Sequence, residues 1–311
     1  MMLLLMKNMT NKAQIRYNFI TGRSVAFAPE RIKRPNDTKK SPKSSLCPFC
    51  AGNVKSKSIL SQTPKGKKWQ TAAVKNLFPV LSKGSSQAYG YQEVIIDTPV
   101  HEEDFADLKI KQIETVLQMF QIRSEKLKKD KKIHYILCFK NQGRAAGASL
   151  RHIHSQIFAS TILPPDIIEE RNRVALYAEE NSACPYCELI KQEENESRKI
   201  YSDNNLIAFC PYASEYPYEV WITSRRHVDN IALLKPSEIS SLAKCLKLIA
   251  QKLKDLSFDF NFFTHNDLDN QHQHFYLKVQ PRPNVWAGVE LGSGLIINSI
   301  LPEEAANNYR Q

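Results

Sequence analysis

The chain has 311 residues, 42% hydrophobic and 24% charged, and its 43 Lys and Arg exceed its 32 Asp and Glu by a formal charge of +11. This is the make-up of a globular protein with one large or two ordinary domains and a sizeable core. No apolar run approaches a membrane span, and seven cysteines, an odd count with two C-x-x-C pairs, argue against a secreted disulfide framework and for a reduced, cytoplasmic setting where thiolates bind metal.

In chain order, residues 1–6 are too short for a secretory signal and read as a frayed start. Much of the positive excess lies in the lysine-rich stretches 39–68 and 126–132, which read as solvated faces or loops, 39–45 among them. A basic surface of this kind suits phosphate-bearing small molecules. Cys47-Pro48-Phe49-Cys50 forms the first C-x-x-C pair, and residues 91–96 read as a strand leading to His101. Ile113, Val116, Leu117 and Phe120 then form one helical stripe. Residues 135–139 read as an apolar strand, 152–158 as a strand opening on His152, and 164–183 as a helical connector.

The same series then runs again. It comprises Cys184-Pro185-Tyr186-Cys187, a strand at 218–222, His227, and a stripe of Leu242, Leu246, Ile249, Leu253 and Leu256. Strands at 258–263 and at 274–279, the latter opening on His274, complete it. Glu93 and His101 are eight residues apart, as are Glu219 and His227. The duplication divides the chain into 1–164 and 165–311. Sequential strands with one helix per half predict an α+β fold, each half a mostly antiparallel sheet with a packed helix.

Each half thus supplies two thiolates and two imidazoles at matching positions. Cys47, Cys50, His101 and His152 form one set, and Cys184, Cys187, His227 and His274 the other. Both are Cys2His2 sets suited to tetrahedral Zn²⁺ with no open position, which makes the sites structural. One or two zinc ions per chain are expected. Of the other histidines, His134 reads as an ordinary strand residue, and His265 and His272 as loop residues.

The densest chemical signal is the run from Asn141 to Gln156. The glycines and small residues at 143–149 let backbone N–H groups approach a phosphate. His-x-His-x-Gln follows, and strand alternation puts His152, His154 and Gln156 on one face. With His152 held by metal, His154 is aimed at the loop as a nucleophile, and Gln156 can donate to phosphate oxygens in the transition state. The matching position in the second half is Tyr276, so that half is expected to be catalytically silent but still metal-binding.

Further blocks carry a family resemblance: 15–23, 29–35, 47–53, Asn76-Leu77-Phe78-Pro79, 211–227 and 290–302, together with 152–156. With these the chain resembles, nearly end to end, the galactose-1-phosphate uridylyltransferase family, a branch of the histidine-triad superfamily that includes ADP-glucose phosphorylase-like members. The resemblance implies two tandem histidine-triad-like halves and ping-pong transfer of a nucleoside monophosphate. The intermediate is nucleotidyl-His154, formed from a nucleoside diphosphate sugar and passed to a sugar 1-phosphate. By the same comparison, Arg31, Arg34, Asn141, Gly147 and Ser149 would contact the nucleotide or its phosphates. Glu290 would sit near sugar hydroxyls, contributed by a partner subunit of a homodimer. The resemblance also lets the second metal site hold iron.

Three functions compete. The first is hexose-1-phosphate uridylyl transfer. The second is phosphorolysis of ADP-glucose or a dinucleoside polyphosphate, with inorganic phosphate as acceptor; the run Glu290-Leu291-Gly292-Ser293-Gly294 resembles that branch equally. The third is a zinc-organised nucleic-acid-binding protein, prompted by the charge. The chain lacks the finger spacing, basic helix and aromatic-plus-basic strand that such modules use.

Overall fold

A computed structural model describes residues 14–17, 24–27, 47–66, 68–270 and 272–311. The N-terminal run 1–6, the loop expected at 39–45, the blocks at 15–23 and 29–35 apart from the strand residues 15–17, and the expected phosphate contacts Arg31 and Arg34 lie outside the described residues. Strands β1 (Gln14–Tyr17) and β2 (Ser24–Phe27) form an antiparallel pair of their own.

Among the described residues, the remaining strands make one ten-stranded sheet. The first half supplies β3 (Ile59–Thr63), β4 (Thr71–Lys75), β5 (Gly90–Ile96), β6 (Tyr135–Gln142) and β7 (His154–Ser160). The second supplies β8 (Lys199–Ser202), β9 (Leu206–Phe209), β10 (Val220–Ser224), β11 (Phe260–Asp267) and β12 (Tyr276–Pro281). Their order is β3-β4-β5-β7-β6-β11-β12-β10-β9-β8, and every neighbouring pair is antiparallel. Outward from the β6–β11 junction, both halves run fourth, fifth, third, second and first strand. The sequence repeat is therefore a topological repeat, joined strand to strand.

Each half sends one long helix across the sheet between its third and fourth strands, α1 (Ile110–Leu127) and later α4 (Pro236–Asp255). The predicted stripes are the buried faces: Ile113, Val116, Leu117 and Phe120 on α1, and Leu242, Leu246, Ile249 and Leu253 on α4. Together with Ile95, Ile157, Phe262, Leu277 and Val279 from the sheet they form a single core. Leu256, expected on the second stripe, instead caps the helix and is only half-buried, because α4 ends at Asp255. The connector is α2 (Pro165–Asn181), followed by α3 (Pro185–Glu193). Two C-terminal helices complete the chain, α5 (Gly288–Ser293) and α6 (Pro302–Arg310), the latter burying Ala305, Ala306 and Tyr309.

Several strand starts lie about two residues later than the sequence pattern places them. β7 begins at His154 because its partner β5 ends at Ile96, opposite His154. β12 begins at Tyr276 because its pairing with β10 closes at Thr223–Tyr276. His152 and His274 therefore sit just before their strands, where side chains and not the ladder fix them. β10 starts at Val220, after Tyr218 takes a left-handed conformation with φ of 63°.

Candidate metal centres and active site

At the first Cys/His set, the Cys47–Cys50 turn is closed by the Asn53 side chain, which donates to the Cys47 carbonyl at 2.8 Å. Cys47 Sγ lies 3.5 Å from His152 Nδ1, and Cys50 Sγ lies 3.4 Å from His101 Nδ1 and 3.8 Å from His152 Nδ1. All four ligand atoms fall within 4.8 Å of one another. A tetrahedral ion with Zn–S of about 2.3 Å and Zn–N of about 2.0 Å separates sulfur from nitrogen by roughly 3.5 Å, so the set fits. His152 Nε2 donates to the Thr98 carbonyl at 2.8 Å, which turns Nδ1 toward the cysteines. Burial holds the His152 imidazole below its ordinary pKa, in the neutral form a metal requires. Burial and the neighbouring Cys47 push the Cys50 thiol up to about 11, a bias that a bound cation reverses.

The second set repeats this geometry. Cys187 Sγ lies 3.5 Å from His227 Nδ1 and 3.6 Å from His274 Nδ1, and Cys184 Sγ lies 3.8 Å from His274 Nδ1. His274 Nε2 donates to the Ser224 carbonyl at 2.8 Å, the counterpart of the bond at Thr98. Here the C-x-x-C pair opens helix α3, with Cys184 as its N-cap, and His227 is exposed. The second set is thus the more accessible of the two.

His154 opens β7 with its ring against Phe49, centroids 5.0 Å apart. Its Nδ1 donates to the His152 carbonyl at 2.9 Å, because a carbonyl can only accept. In the neutral ring Nε2 therefore carries the lone pair. His154 lies on the wall of a cleft of about 470 Å³ that both halves line, with Asn141, Gly143 and Arg151 on one side and Lys254, Asp259 and Phe260 on the other. Of the predicted contacts, His154 and Asn141 reach this cleft, while Gly147, Ser149, Gln156 and Glu290 are not part of its lining. Gln156 lies one pleat further along β7, where Gln92 Nε2 makes a long 3.5 Å contact with its carboxamide oxygen. Glu290 accepts from the Ala287 N–H at 2.9 Å and so caps α5.

Behind His154, on the helix side of the sheet, lies a polar group that the pattern reading missed. Lys140 is fully buried, and its Nζ donates to Asp97 Oδ2 at 2.7 Å and to the His154 carbonyl at 3.3 Å. Ser155 Oγ donates to the same carboxylate oxygen at 3.1 Å. Alternation carried the signal, since Ile136, Cys138 and Lys140 share the core face of one strand.

In the second half, Tyr276 occupies the position of His154, and the connector helix covers it. Its hydroxyl donates to both carboxylate oxygens of Glu170 on α2 at 2.9 Å, and Tyr186 donates to the same group at 2.5 Å. Trp221 and Tyr186 stack on its ring at 5.5 and 5.6 Å. Burial and the Glu170 carboxylate push the phenol well above its ordinary pKa. A buried, neutral phenol held this way is no nucleophile. Nearby, His265 belongs to β11 and hydrogen-bonds the Tyr135 hydroxyl, not to a loop as its spacing suggested. The strand continues past Phe263 because β6 pairs with it as far as Tyr135–Asp267. His272 does lie in the turn after β11, and His134, just before β6, pairs with Asp269 at 2.7 Å.

Residues 5–164 match the family described as galactose-1-phosphate uridyl transferase, N-terminal domain. The chain is 30% identical to a galactose-1-phosphate uridylyltransferase of Thermotoga maritima, over 96% of this chain and 98% of that one. It is 29% identical to an ADP-glucose phosphorylase of Arabidopsis thaliana, over 96% and 92%. Among solved structures, that phosphorylase with bound ADP-glucose superposes with a TM-score of 0.79 at 29% identity, covering 96% and 99%. A uridylyltransferase superposes with a TM-score of 0.83 at 26% identity, covering 96% and 97%.

Proposed function

The chain belongs to the galactose-1-phosphate uridylyltransferase family, and from that premise we propose that it transfers a nucleoside monophosphate through a nucleotidyl-His154 intermediate. The observation that supports this best is the 2.9 Å hydrogen bond from His154 Nδ1 to the His152 carbonyl, which leaves Nε2 as the nucleophilic nitrogen of the neutral ring. Nε2 attacks the α-phosphorus of a nucleoside diphosphate sugar. The P–N bond forms as the bond to the bridging oxygen breaks, and sugar 1-phosphate leaves with that electron pair. A phosphate oxygen of the acceptor then attacks phosphorus, and the P–N bond breaks to regenerate neutral His154.

Gln156 donates to the phosphoryl oxygens as they crowd in each transition state. Asn141, Gly147, Ser149, Arg31 and Arg34 hold the nucleotide and its phosphates. Zinc in the two Cys2His2 sets, with iron an alternative occupant of the second, supplies no chemistry to the phosphorus; its ligand His152 anchors the start of β7 and so aims His154. In this reading residues 1–164 are the catalytic half and 165–311 the silent, metal-binding half. A homodimer accounts for the apolar side chains that the 285–301 segment exposes, Val285, Leu291, Leu295 and Leu301 among them. It would also bring Glu290 toward a neighbouring site.

Two acceptors fit. A hexose 1-phosphate makes the enzyme a uridylyltransferase, and inorganic phosphate makes it a phosphorylase of ADP-glucose or a dinucleoside polyphosphate. The second reading has its own support in the end-to-end similarity to the ADP-glucose phosphorylase. Incubation with UDP-glucose, ADP-glucose and dinucleoside polyphosphates, followed by intact-protein mass spectrometry, identifies the base by the mass added, a uridylyl group on the first reading and an adenylyl group on the second. No adduct from any donor would sink the mechanism.

A further inference from the structure

The loop between β6 and β7 is held in shape by the half of the molecule that has no nucleophile. Within the loop, the Ala148 N–H donates to the Gly143 carbonyl at 3.0 Å and the Gly147 N–H to the Arg144 carbonyl at 2.9 Å. Two further backbone groups are satisfied from outside. Asp259, just ahead of β11, accepts the Ala145 N–H on Oδ2 at 2.7 Å. Asn261, on β11, donates through Nδ2 to the Ala146 carbonyl at 2.8 Å and to Asn141 Oδ1 at 2.9 Å. Arg282 secures both: its side chain donates to Asn261 Oδ1, and its backbone N–H to the Asp259 carbonyl at 2.7 Å. The approach is close enough to dictate a glycine. Gly143 has φ of +83°, and a Cβ there would lie 1.8 Å from Asp259 Oδ1.

A loop of small residues with two left-handed glycines has many conformations open to it, and an anion is bound well only by N–H groups already pointing at it. We propose that Asp259 and Asn261 are positioning residues, through which the silent half fixes the backbone of the 143–149 loop in the conformation that receives the phosphates of the nucleotide donor. This rests on the nucleotidyl-transfer reading above. The role needs the acceptor oxygen of Asp259 and not its charge, so the carboxamide oxygen introduced by Asp259→Asn should serve where Leu does not.

The test uses the full-length, zinc-loaded protein and the donor that labels wild type, with single-turnover adduct formation followed by quenched mass spectrometry. Asp259→Leu should slow the maximal rate on the order of 10-fold or more, with a smaller change in half-saturating donor, while zinc content and melting temperature stay near wild type. Asp259→Asn should restore most of the rate. Wild-type kinetics in Asp259→Leu, or an Asp259→Asn protein as slow as Asp259→Leu, overturns the proposal. Should Asp259→Leu fold poorly, Gly143→Ala displaces the loop while leaving the second half intact, and a wild-type rate there overturns it equally. A wild-type protein that takes up no nucleotide rejects the function itself, an outcome distinct from equal labelling of wild type and variant.

Discussion

His152 and His154 are two residues apart and present opposite nitrogens, because different ring atoms are tied to backbone carbonyls. The pattern His-x-His-x-Gln was legible, although β7 takes in only His154 and Gln156 and leaves His152 just ahead of it. Which nitrogen each ring offers was not, since Thr98 lies far away in sequence. Replacing His154 with Asn should leave folding and zinc content near normal and abolish adduct formation. Tyr276→Phe should label normally, yet lose about 1–3 kcal/mol of stability as Glu170 loses the hydrogen bond that this hydroxyl shares between its two oxygens; intact-mass labelling beside denaturant unfolding reads both. Lys140 gives a sharper stability test. Lys140→Met leaves Asp97 charged and buried without its cation, at a cost of about 3–5 kcal/mol, and the added change Asp97→Leu should recover much of the loss. A double variant no more stable than the single one would show that the ion pair itself is not the issue.

Among the elements, the two long helices were read well because a 3.6-residue stripe is local, and apart from Leu256 the α1 and α4 faces are the predicted ones; α3, α5 and α6 were not read as helices. Strand ends were read less well because they depend on where the partner strand stops. The role of α2 was invisible: the sequence showed a helical connector, while its contact from Glu170 to Tyr276 spans 106 residues. The metal turns are the elements most open to experiment. Cys47→Ser or Cys50→Ser should lower zinc content by about one ion, lower the melting temperature and slow labelling of His154, since His152 loses its anchor. Cys187→Ser should lower zinc content and stability but largely spare the labelling rate of the folded fraction. Elemental analysis, thermal melts and labelling rates check all three; equal labelling defects from both sites would contradict the assignment of His152 as the anchor.

For the whole molecule, the duplication was legible from the paired cysteines, histidines and stripes, but the way the halves join was not. Periodicity says nothing about which strand edge meets which. The halves meet along β6 and β11, with eight paired residues from Phe260–Gln142 to Asp267–Tyr135, and share one core. Residues 1–164 produced alone should therefore aggregate or self-associate, with co-production of 165–311 restoring a soluble, labelling-competent complex; a well-folded monomeric first half would contradict this. The same junction has a consequence during synthesis. Strand β6 leaves the ribosome about 125 residues ahead of β11, and at roughly 5–20 residues per second its edge waits about 6–25 s for its partner. For that interval the nascent chain carries an open row of backbone donors and acceptors beside an uncovered apolar face. The step most exposed to misassembly is thus the wait for the second half, and slower translation through 165–260 would lengthen it.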